Sequence, residues 1–82
     1  MLVKYTKTPD HQKIGVIVAM SSNKVGWSRC QPEDKFNKQL GLKIAIGRAL
    51  RGSKKKVPDA LLRDMVEMYP KALRFYAQKR EG

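Results

Sequence analysis

Lys13-Ile14-Gly15-Val16-Ile17-Val18-Ala19-Met20, then after Ser21-Ser22-Asn23-Lys24 the stretch Val25-Gly26-Trp27-Ser28-Arg29-Cys30, decide how this chain folds. The first stretch is a near-continuous apolar run rich in β-branched residues. It is too short for an average helix and reads as a buried strand. The second alternates, with Val25, Trp27 and Arg29 on one face and Gly26, Ser28 and Cys30 on the other. A period of two next to a polar four-residue turn is the return strand of a hairpin. Upstream, Leu2–Thr6 reads as a short edge strand that widens the hairpin to a three-stranded antiparallel sheet. Pro9 and Asp10 mark the loop between them.

Downstream the period changes. Pro32-Glu33-Asp34 opens a helix, since proline suits the first helical position and acids suit the positive end of the helix dipole. Phe36, Leu40 and Ile44 recur at spacing four, and Gly52 supplies a stop, so a helix is expected over Glu33–Leu50. Gly41, Ala45 and Ala49 form a second stripe of small residues on the same helix. Glycine inside a helix costs roughly 1 kcal/mol relative to alanine, so a packing reason is expected, and close approach to the chain's own hairpin is the favoured one. Pro58 and Asp59 start a second helix, expected over Asp59–Lys79, whose stripe runs Leu62, Val66, Tyr69, Leu73, Tyr76 with Leu61 and Met65 beside it. The stripe keeps phase across Pro70, which predicts one helix kinked near that proline, where a backbone hydrogen bond is lost.

The fold class is therefore α+β: a hairpin or three-stranded antiparallel sheet packed against two helices, in a single domain over residues 1–82. Ile17, Phe36, Leu40, Ile44, Leu62, Val66 and Leu73 are expected in the core. The 82 residues allow one domain, and the 41% hydrophobic share suffices for a core despite 30% charged residues. The single cysteine, Cys30, cannot form an internal disulfide, which favours a reducing compartment. The longest apolar run, Ile14 to Met20, is far short of a membrane span and is placed too late for a signal peptide.

A net charge of +11 is the strongest compositional signal. From Lys35 to Pro58 the charged residues are Lys35, Lys38, Lys43, Arg48, Arg51, Lys54, Lys55 and Lys56, with no acid among them. From Asp59 onward acids and bases nearly balance. Such a lopsided field attracts polyanions and speeds their encounter. Those eight residues are the candidate nucleic-acid contacts. On a helical wheel Lys35, Lys38, Lys43, Arg48 and Arg51 scatter around the helix, and Trp27 is the one candidate stacking platform.

No constellation points to catalysis. Glu33 and Asp34 are adjacent and suit a helix start better than a catalytic pair. His11 is the only histidine and lacks the spaced companions that metal sites and triads need. Gly47-Arg48-Ala49-Leu50-Arg51-Gly52-Ser53-Lys54 has the glycine spacing of a phosphate-binding loop, but Ser53 precedes Lys54 and the segment ends a helix. Neither a metal nor a cofactor is expected.

The block Lys13-Ile14-Gly15-Val16-Ile17-Val18-Ala19-Met20, then Val25-Gly26-Trp27-Ser28-Arg29-Cys30-Gln31-Pro32-Glu33-Asp34-Lys35-Phe36-Asn37-Lys38, then Gly41-Leu42-Lys43-Ile44-Ala45-Ile46-Gly47-Arg48-Ala49, resembles small uncharacterised proteins of tailed bacteriophages. The resemblance implies expression in the cytoplasm of an infected bacterial host and an accessory role during infection. It supplies no catalytic residues, and the lysine-rich loop and second helix lie outside it. The favoured function is a basic accessory protein that binds nucleic acid through phosphate contacts. The competing reading is an interaction module or inhibitor that docks on an acidic host protein. An enzyme and a membrane partner are the readings least supported.

Cys30 is expected to be dispensable for folding. Cys30→Ser should cost less than about 1.5 kcal/mol in urea denaturation if the thiol is partly exposed.

Overall fold

A computed structural model describes residues 1–30, 38–52 and 56–78. The chain runs β1 (Leu2–Lys7), β2 (Lys13–Ser21), β3 (Lys24–Arg29), α1 (Lys38–Arg51) and α2 (Asp59–Gln78). The strands form one antiparallel sheet in the order β1-β2-β3, which puts the apolar run in the centre. Leu2 pairs with Ala19 and Thr6 with Gly15 on one side, while Gly15 pairs with Arg29 and Ile17 with Trp27 on the other. The expected α+β class and three-stranded sheet are what the chain adopts.

The expected first helix is seen from Lys38 onward, and its Glu33–Asn37 portion lies outside the described residues. It ends where Gly52 takes a positive φ of 64°, a left-handed conformation that glycine adopts without a Cβ clash. α2 runs unbroken through Pro70, which is exposed, so water can reach the Val66 carbonyl whose helical partner the proline lacks.

Val16, Ile17, Val18 and Ala19 are all fully buried. Successive side chains on a strand point to opposite faces, so both faces of β2 need cover. Val16 and Val18 pack with Ala45, joined by Tyr5, Met20, Leu42 and Ile46. Ile17 and Ala19 pack with Trp27, Leu61, Met65, Met68 and Ala72. α1 therefore covers one face of the sheet and α2 the other, and among the described residues the backbones of the two helices do not meet.

This layering corrects the expected core. Ile17 is buried, but Leu40, Ile44, Leu62, Val66 and Leu73 are exposed, and Phe36 lies outside the described residues. On α1 the small stripe faces the sheet, as the glycine spacing suggested. Gly26 on β3 lies directly beneath it, where a Cβ would meet the Ala45 carbonyl oxygen and the Ala49 amide nitrogen. Backbone-to-backbone contact leaves no room for Leu40 or Ile44 at the interface. On α2 the large stripe lies roughly a quarter of a turn from the buried one, and Leu61, Met65, Met68 and Ala72 take the sheet instead.

Two hydrogen bonds fix α2 on the sheet. The Thr6 hydroxyl, buried on β1, donates to Asp64 Oδ2 at 2.7 Å. The Tyr76 hydroxyl donates to the Ala19 carbonyl at 2.6 Å, beside the register shift that separates Ala19 from Ser21. Each bond satisfies a group that would otherwise lose its solvation on burial. Cys30 is half-buried and in no disulfide among the described residues, and its backbone N–H donates to the Ile14 carbonyl at 2.8 Å.

The glycines of the two secondary-structure types should respond oppositely to alanine. Gly26→Ala should lower the unfolding free energy by about 1–3 kcal/mol or more, because neither backbone can retreat without disturbing the sheet. Gly47→Ala meets only the flexible Arg51 guanidinium at 3.4 Å. It should raise helix stability by about 0.5–1 kcal/mol, and urea denaturation of both variants reads the difference.

Candidate nucleic-acid interface

Of the eight basic residues singled out from the sequence, the five that are described do not form one patch. Lys35, Lys54 and Lys55 lie outside the described residues. Lys43 and Arg51 are exposed and line one shallow groove on α1 with Leu40, Ile44 and Gly47. Lys56 is exposed in the segment before α2. Arg48 is half-buried: Nη1 donates to the Trp27 carbonyl at 3.0 Å, and its guanidinium carbon lies 4.3 Å from the centroid of the indole.

Arg48 has an architectural task. Its helix covers the Val16 face, whereas Trp27 packs with Ile17 on the opposite face. The side chain therefore passes around the β3 edge to reach the indole. The carbonyl that Arg48 caps belongs to this edge strand. A planar guanidinium can bond to that carbonyl and stack on the ring together, which an ammonium cannot.

Lys38 belongs to a different cluster. Its ammonium sits 5.4 Å from the centroid of the Tyr5 ring, and that of Lys13 sits 5.0 Å from the same centroid. Lys7 pairs with Lys13 across the β1–β2 ladder. Lys4, Lys7, Lys13 and Lys38, with Val3, Tyr5 and Asp64, line a groove of about 510 Å³ along the free edge of β1. Asp64 is the one acid among these, and it accepts the Thr6 hydroxyl.

The fold assembles this groove from four places in the chain. Alternation along β1 puts Tyr5 on the α1 face and Thr6 on the α2 face, so Tyr5 meets the start of α1 while Thr6 meets Asp64. The β1–β2 loop then returns Lys13 beside Lys7. That loop is closed by the Thr8 N–H donating to the Gln12 carbonyl at 2.9 Å, with His11 at a positive φ of 67°. His11 is exposed there.

Lys4, Lys7 and Lys13 were not among the sequence candidates, because they lie outside the acid-free window. The signal that could have found them is the density of lysines at 4, 7 and 13 along the expected edge strand and the loop that follows it. Like charges directly opposed across a ladder are destabilising, so Lys7 opposite Lys13 works against the sheet unless an anion lies between them. A half-exposed aromatic ring among ammonium groups offers a stacking surface within a phosphate-attracting field.

Among the described residues, no three His, Cys, Asp or Glu side chains stand together as a metal site would require. Nor is any described helix long and apolar enough to cross a membrane. Comparison of the chain with protein-family models, with curated proteins and with solved structures finds no match in any of the three.

Removing the Arg48 staple should loosen the β3 edge. Arg48→Ala is expected to cost about 1–3 kcal/mol, because both the hydrogen bond and the stacking on the indole disappear, and Arg48→Lys less than that. Trp27 is the single tryptophan, so its intrinsic fluorescence reports the change directly alongside the urea midpoint.

Proposed function

We propose that this chain is a small basic accessory protein that binds nucleic acid through phosphate contacts, with the groove along β1 as its main contact surface. The observation that carries the reading is the groove at the β1 edge lined by Lys4, Lys7, Lys13 and Lys38, where the Lys13 and Lys38 ammonium groups stand at the Tyr5 ring. Phosphates would relieve the mutual repulsion of these ammonium groups, and Tyr5 would give an unpaired base a flat apolar surface. Arg51, Lys43 and Lys56 extend the basic field elsewhere on the chain, where loose phosphate contact tolerates their scatter, and Lys54 and Lys55 add two charges next to Lys56 in sequence. Arg48 contributes charge to that field but is held by Trp27. The resemblance to tailed-phage proteins supports the cytoplasm of an infected bacterial host as the place of action, as part of the same proposal.

Association is expected to be electrostatic and indifferent to sequence. Removing one phosphate-binding cation should flatten the dependence of log affinity on log salt by about 0.7 for single strands and 0.9 for duplex. Titrating a labelled duplex and a labelled single strand at several salt concentrations tests this. Replacing Lys4, Lys7, Lys13 and Lys38 with alanine together should reduce the slope more than replacing Lys54, Lys55 and Lys56. Tyr5→Leu should weaken the single strand selectively, by about 1–3 kcal/mol if a base stacks on the ring. An unchanged slope in the four-lysine variant removes the groove from the proposal. No binding by the wild type at low salt removes nucleic acid altogether and favours docking on an acidic protein.

A further inference from the structure

The large apolar stripe of α2 has no partner within the described residues. Leu62, Val66, Tyr69 and Leu73 are 46%, 59%, 45% and 61% exposed, at successive spacings of four, three and four. That alternation of four and three is the repeat by which one helix seats along another. The stripe lies on the β3 side of α2. Tyr69 shares a groove with Val25 on β3 and with Leu50 at the end of α1, and Leu73 shares one with Ser22 in the β2–β3 turn. Asp64, on the opposite flank, faces β1. That groove also holds Asn23, Lys24 and Arg51, so the apolar surface of α2 reaches Val25 at the β3 edge, and the exposed Leu50 stands beyond a polar strip.

Charge distinguishes the occupants. The chain as a whole carries +11, so two copies repel over most orientations. α2 is the exception, and its charges are segregated along its length. Asp64, bonded to Thr6, and Lys71, seven residues further on, lie on the β1 flank away from the stripe, and Arg63 pairs with Glu67 at 3.3 Å, which leaves Asp59 beside the stripe in the first half and Arg74 in the second. A helix of this kind complements itself when turned end for end, acidic end against basic end. The antiparallel arrangement also opposes the two helix dipoles favourably. Two-fold symmetric interfaces require such a self-complementary patch. A uniformly acidic or basic partner would match only one half of it.

We infer that the Leu62–Val66–Tyr69–Leu73 face of α2 is the interface of a two-fold symmetric homodimer in which α2 packs antiparallel against α2 of a second copy. The inference does not rest on nucleic-acid binding. The β1 groove lies at the other edge of the sheet, so the dimer leaves both grooves open and carries two of them.

Sedimentation equilibrium without nucleic acid, over a wide concentration series, should give a mass approaching twice the chain's 9.4 kDa. Val66→Glu is at an exposed position and should keep the circular dichroism of the fold while abolishing the dimer. The decisive variants reverse charge. Pairing Leu62 with Leu73 of the second copy brings Asp59, beside one end of the stripe, toward Arg74 of that copy, whereas Glu67 is held by Arg63 at the middle of the stripe. Arg74→Glu lowers the net charge by two, so general repulsion alone predicts tighter self-association. The antiparallel interface predicts the reverse: Arg74→Glu and Asp59→Lys each weaken the dimer, by about tenfold if each loses roughly 1.4 kcal/mol, and the double variant restores it. A wild type that stays monomeric throughout the series overturns the inference, as does a dimer that survives Val66→Glu. Tighter association of Arg74→Glu overturns the antiparallel charge match.

Discussion

Burial of β2 on both faces is the constraint from which the rest of the architecture follows. Val16 and Val18 point one way, and Ile17 and Ala19 the other, and none of the four is exposed. A three-stranded sheet cannot shield two apolar faces by itself, and both helices on one side would leave the other wet. The chain therefore becomes three layers with two small cores in place of one. In 82 residues each core is thin, and each helix must sit close to the sheet.

The two helices solve this differently. α1 approaches with Gly41, Ala45 and Ala49, so that its backbone rests on Gly26. α2 fills a wider gap with Leu61, Met65 and Met68, and holds its angle through Thr6–Asp64 and Tyr76–Ala19. Because each helix covers one face alone, each keeps an uncovered flank. Large side chains that would join a common core in a two-layer protein are left on the surface here.

Central placement of β2 also creates two sheet edges with different chemistry. The β1 edge collects Lys4, Lys7, Lys13 and Lys38 in one groove with Tyr5. At the β3 edge Arg48 wraps over from α1 to occupy the Trp27 carbonyl and the indole face. Charged and long cationic side chains at an edge also discourage uncontrolled strand pairing. The lysine groove and the exposed apolar stripe of α2 thereby lie toward opposite edges of the sheet.

Much of this is written in local sequence. The β-branched run, the alternation of Val25–Cys30, Gly52 as a helix stop, and the phase kept across Pro70 each report a backbone preference set by residues within a turn or two, so element types and the α+β class could be read directly. The small stripe on α1 was legible too, because glycine in a helix demands a reason. The side of each helix that would be buried was not. Periodicity shows that an apolar stripe exists, but α2 carries two adjacent ones, and only the distance from helix to sheet decides between Leu61–Met65–Met68 and Leu62–Val66–Leu73. The basic groove was hidden for the same kind of reason. Lys7 meets Lys13 through hairpin register, and Lys38 meets Tyr5 through the docking of α1, both of which are relations between segments that composition windows cannot contain. Arg48 looked like one more surface cation until tertiary packing placed an indole and an edge-strand carbonyl within its reach.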